Sequence, residues 1–72
     1  MGVPELKEAV KLLRSQQLFP ATIRRAQEKV IASGQRINEI NIALYYSEKG
    51  DTRNASLNAN KAADAINRLI GG

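Results

Sequence analysis

Residues 22–49 read TIRRAQEKVIASGQRINEINIALYYSEK, and the fold turns on this stretch. Its apolar and small residues fall at Ile23, Ala26, Val30, Ser33, Ile37, Ile40, Leu44 and Ser47. Steps of three and four alternate without a slip over these 25 residues. That spacing is a heptad repeat and places all eight residues on one helical face. Two architectures fit. In one, residues 22–49 form a single helix with Gly34 inside it, at a cost of about 1 kcal/mol relative to Ala. In the other, Ser33-Gly34 is a tight turn between two shorter helices. A turn ordinarily carries more breakers than one Ser-Gly pair, so the intact phase favours the single helix.

Downstream, Gly50 is the clearest stop in the chain. It follows Lys49, a cation suited to the negative end of a helix dipole. Asp51 or Thr52 can cap the helix that follows. Ala55, Ala59, Ala62, Ile66 and Leu69 then share one face, and Gly71-Gly72 closes the segment. Asp64 precedes Arg68 by four residues, the favourable order for a pair along a helix. Residues 22–49 and 52–70 are therefore expected to lie antiparallel across a short loop. The Ala-rich seam brings the two helices close. It also buries little area at about 25 cal/mol per Å², so a further helix must cover it.

Upstream, residues 4–17 predict that helix. Pro4 suits the first helical position, and Glu5 faces the positive end of the dipole. Leu6, Ala9, Val10 and Leu13 share a face, with Lys7, Lys11 and Arg14 on the neighbouring one. Pro20 supplies the stop. Leu18 and Phe19 stand just before it, either as a plug across a helix end or as an exposed binding spot. Thr22 is a candidate cap for the second helix, with an incomplete box because Arg25 replaces the acid or amide. The expected fold is all-α: one domain over residues 1–72, a small antiparallel helical bundle. In it the N-terminal helix packs on a long helical hairpin.

Residues 36–69 resemble one tetratricopeptide repeat, a 34-residue helical hairpin used for protein–protein binding. Ile42, Ala43 and Tyr46 match in the first helix, Gly50 at the turn, and Ala55 and Ala62 in the second. The run Tyr45-Tyr46-Ser47-Glu48-Lys49-Gly50-Asp51 is similar to that family's turn. Glu39 stands where the family often has an aromatic residue, and no Pro closes the unit. The resemblance covers about half of the chain. It implies a hairpin that contacts protein.

Composition narrows the chemistry. The 72 residues contain no Cys and no His, which removes thiolate and imidazole catalysis and the common zinc ligands. The seven acids are scattered, and no phosphate-cradling glycine loop is present. The chain is therefore read as non-enzymatic, with no cofactor and no metal. No apolar run reaches the roughly 18 residues a membrane span needs. The start fails the myristoylation pattern at Leu6, no secretory signal precedes the first helix, and a cytoplasmic location is expected.

The net charge of +4 lies in the first half, where seven cations face three acids. Two basic groups stand out: Lys7, Lys11 and Arg14, then Arg24, Arg25 and Lys29, interrupted by Glu28. They support one reading, a small basic nucleic-acid-binding protein. The aromatic platforms of single-strand binders are missing. The other reading rests on apolar residues left over once the seams are filled. It is a non-catalytic helical protein–protein interaction module, forming a homo-oligomer or serving as an accessory or inhibitory subunit. Its candidate contacts are Leu18, Phe19, Ile31, Ile42, Tyr45 and Leu57. Tyr45 and Tyr46 are adjacent and point apart, so Tyr46 is expected inward and Tyr45 outward.

Overall fold

The computed structural model describes residues 2–71. Four helices follow one another: α1 (Val3–Leu13), α2 (Pro20–Ala32), α3 (Asn38–Glu48) and α4 (Thr52–Gly71). They form an all-α antiparallel bundle. Each helix packs on two others in a ring, α1 on α2, α2 on α3, α3 on α4, and α4 back on α1. The body is elongated, with extents of 34 × 19 × 19 Å.

The long helix favoured by the heptad phase does not form. The chain leaves helix after Ala32 and re-enters at Asn38. Gly34 has φ +85, in the left-handed region that only glycine enters readily. Around it the Gln35 N–H donates to the Val30 carbonyl and the Gly34 N–H to the Ile31 carbonyl. This crossed pair is a Schellman cap, which satisfies carbonyls a bare helix end would leave open. Gly50 ends α3 in the same way, through Asp51 N–H to Tyr46 and Gly50 N–H to Ser47. The phase survives the break because Ile37 still reaches the core. It does so from extended backbone at φ −121, half-buried against the cluster. An apolar residue at the right count therefore does not require a helix between.

The first helix is shorter than residues 4–17, ending at Leu13. The Ser15 hydroxyl accepts the Gln17 N–H at 3.2 Å, a local turn that competes with helical bonding. The second helix starts at Pro20 rather than at Ala21 or Thr22. Phe19 holds its N-cap position, and no side chain caps it. At the start of α4, Asp51 is the cap: its carboxylate accepts the Asn54 N–H at 3.1 Å and the Asn54 side-chain amide at 2.7 Å. These hydrogen bonds hold the Asp51 carboxyl below its ordinary value against opposing desolvation, with a lesser contribution from nearby Arg53.

The core is built from aliphatic residues and alanine. Leu13, Ile23, Val30, Ile40 and Ile66 are its largest fully buried members, with Ala9, Ala26, Ala43 and Ala59 between them. Alanine at these positions lets the helix axes approach. No polar side chain is buried among the described residues. The α4 seam differs from expectation at one end. Leu69 lies seven residues after Ala62, on the same face, yet it is 52% exposed. Residue counts explain this. The 20-residue α4 outlasts the 11-residue α3, and Asn38 lies opposite position 62 when counted from Gly50. Leu69 is thus about 10 Å past the end of its cover. Ala63 and Ile70 instead complete the packing of α4.

Candidate interaction surface

The seam between α2 and α3 gathers the most informative surface residues. Arg24, Gln27 and Ile31 follow one another at steps of three and four, so they share one flank of α2. Asn41, Tyr45 and Glu48 share a flank of α3 by the same spacing. Two cross-links show that these flanks face each other. The Arg24 guanidinium donates to the Glu48 carboxylate, and the Gln27 amide donates to the Asn41 amide oxygen. The first is a half-exposed ion pair, so its net contribution is below about 1 kcal/mol.

Toward the α2–α3 connection the seam opens into a cavity of about 290 Å³. Val30, Ile31, Ile37 and Ile40 supply its apolar lining. Gln27, Asn38 and Asn41 line its walls with amides, and Arg36 is its one charged lining residue. Arg36 makes no ion pair among the described residues. α3 begins beside this cavity with Ile37 at its N-cap and no side-chain acceptor for its first N–H groups.

Ile31 is 56% exposed and Tyr45 is 55% exposed, on the two helices that make the groove. The Tyr45 ring meets Tyr46 edge-on, with centroids 5.4 Å apart and planes at 75°. Lys49 Nζ lies 4.9 Å from the Tyr45 ring centroid, a cation–π arrangement. The outward Tyr45 and the half-buried Tyr46 agree with the expected division of the pair.

The other expected contacts are dispersed. Leu18 is half-buried against the core, and its carbonyl accepts the Ser47 hydroxyl at 2.8 Å, so it acts as a plug. Phe19 is exposed in the α1–α2 connection, and Leu57 is exposed on α4. Ile42 is half-buried. Only Ile31 and Tyr45 of the six share the α2–α3 surface.

The two basic groups also separate. Arg14 pairs with Asp64 of α4 at 3.0 Å, while Lys7 and Lys11 are exposed on α1. Asp64 thereby meets Arg14 rather than its expected neighbour Arg68. Arg24 faces α3 instead, with Arg25 and Lys29 exposed beside it on α2. Two of the six cations are thus engaged in ion pairs, and the other four are exposed.

Sequence reasoning missed Gln27, Arg36, Asn38 and Asn41. Reading Ser33-Gly34 as a turn would have folded α2 against α3 and brought these residues to one seam. Among the described residues no three His, Cys, Asp or Glu side chains are grouped to hold a metal ion. No described helix is long and apolar enough to cross a membrane. No protein-family model matches the chain, and no curated protein or solved structure matches it.

Proposed function

We propose that this chain is a small non-catalytic helical module that works by contacting another protein. One observation carries the reading: Ile31, more than half exposed, lines a cavity at the α2–α3 seam, and Tyr45, equally exposed, stands on the α3 flank that carries the lining residue Asn41. Large apolar side chains beside a preformed hole are the anchors that interfaces bury. Tyr45 adds contact area on a stiff side chain with a polar tip. The resemblance of residues 36–69 to one tetratricopeptide repeat points the same way. The nucleic-acid reading has less support, because one cation of each basic group, Arg14 and Arg24, is engaged in an ion pair.

The test is affinity capture from cells with the full chain as bait, beside a bait carrying Ile31→Asp and Tyr45→Asp. Both substitutions are at exposed positions, so the fold is retained and circular dichroism verifies it. Specific proteins recovered by the parent and lost by the double variant are expected. Recovery of no protein above the double-variant control, with a monomeric mass by light scattering, refutes the reading.

A further inference from the structure

The groove between α2 and α3 narrows the chemistry of what it takes. Its volume of about 290 Å³ sits at the small end of ligand pockets, which suits one or two side chains better than a cofactor. Its lining sets four aliphatic side chains beside three amides, so it admits an apolar group flanked by hydrogen-bonding ones. Its single charged lining group is the Arg36 guanidinium, which has no carboxylate of its own among the described residues. A guanidinium at an apolar pocket pairs a carboxylate with two parallel hydrogen bonds. On the facing flanks Arg24 and Glu48 satisfy each other, and Glu28 stands between Arg24 and Ile31 while Arg25 and Lys29 lie off that flank. The chain as a whole carries +4, which favours approach of an acidic partner to the unpaired Arg36.

We infer that the groove receives an acidic segment of another protein, with an apolar side chain in the cavity and a nearby carboxylate on Arg36. This assignment rests on the protein-contact reading of the chain. The charge argues against two other occupants. A second copy brings +4 against +4, which long-range electrostatics opposes. A nucleic acid finds one guanidinium and no aromatic ring lining the cavity on which a base could stack.

The test is selection of a phage-displayed library of random 16-residue peptides on the immobilised full chain. Enriched peptides are expected to carry Asp or Glu within four residues of Leu, Ile, Phe or Trp. Synthetic copies are expected to lose at least tenfold in affinity against Arg36→Glu and against Ile31→Asp. They lose as much when their acids become amides, and nothing against Leu57→Asp on α4. Ile31 and Arg36 are exposed, so these variants keep their helicity and the comparison stays interpretable. Enrichment without an acidic bias, or affinity unchanged by both groove variants, overturns the inference. Peptides lost only with Leu57→Asp overturn it as well and leave the protein-contact reading standing. A dimer in light scattering that Ile31→Asp dissociates assigns the groove to a second copy and overturns the acidic occupant. Tight duplex binding abolished by Arg36→Glu assigns it to nucleic acid with the same consequence. No enriched peptide together with no captured protein removes both readings.

Discussion

Replacing Gly34 with alanine separates the two architectures that the heptad phase allows, because they predict opposite signs. Inside a continuous helix, Gly34→Ala stabilises by about 1 kcal/mol. In the observed turn the residue holds φ +85, where an L side chain costs roughly 1–2 kcal/mol. A Cβ added there meets nothing within 4 Å, so no steric clash adds to that conformational cost. The stiffer unfolded chain returns about 0.4–1 kcal/mol. The net is a loss of about 1 kcal/mol, which lowers the melting midpoint by about 4–8 °C in a domain of this size. Domains are stable by roughly 0.05–0.15 kcal/mol per residue, so the variant still folds and its loss is measurable. Urea unfolding followed at 222 nm reads it as a lower midpoint with an unchanged slope. Gly34→Asn is expected to lose less, because asparagine tolerates the left-handed region. A rise in midpoint for Gly34→Ala refutes the Schellman turn and restores the continuous helix.

The overhang of α4 predicts a contrast between two nearby residues. Ile66→Ala, at a fully buried site, is expected to cost about 2–5 kcal/mol, whereas Leu69→Ala stays within about 0.5 kcal/mol in the same urea assay. Equal losses would mean that Leu69 is covered. The Asp51 cap predicts an acid limb of stability. Its folded-state pKa is lowered by the Asn54 hydrogen bonds, so its contribution is complete above about pH 4 and lost as pH falls through the lowered value. Asp51→Asn keeps a capping oxygen without a titrating carboxyl, and flattening of the stability profile below pH 4 is the expected result. The Arg14–Asp64 pair is about half exposed on both sides, so a double-mutant cycle is expected to give below about 1 kcal/mol, shrinking in added salt. A larger, salt-insensitive coupling would contradict the solvated geometry.

Much of the architecture was legible from particular residues. Gly50 after Lys49, with Asp51 following, marked the α3–α4 turn and its cap. The spacing of Ala55, Ala59, Ala62 and Ile66 marked the buried stripe of α4, and all four are buried. Leu6, Ala9 and Leu13 marked the inner face of α1 in the same way. The candidate site was legible only in fragments. Ile31 and Tyr45 were recognisable as surplus apolar residues, since neither belongs to the heptad stripe. Their place on one α2–α3 surface was hidden, because in a single helix from 22 to 49 they lie 14 residues apart on one rod. The amides opposite them read as ordinary surface until the chain turned back on itself.

Periodicity by itself therefore determined that the chain is helical and which side of each helix is apolar, since both follow from 3.6 residues per turn. The tertiary structure alone decided where Val30-to-Ile37 spacing is helix and where it is turn. A glycine accepts either sign of φ, and the count of residues between apolar positions does not record which one it takes. The same holds for Leu69 and Asp64. Their surroundings depend on how far α3 and α1 run alongside α4, and that length is a property of the neighbouring helices rather than of α4 itself.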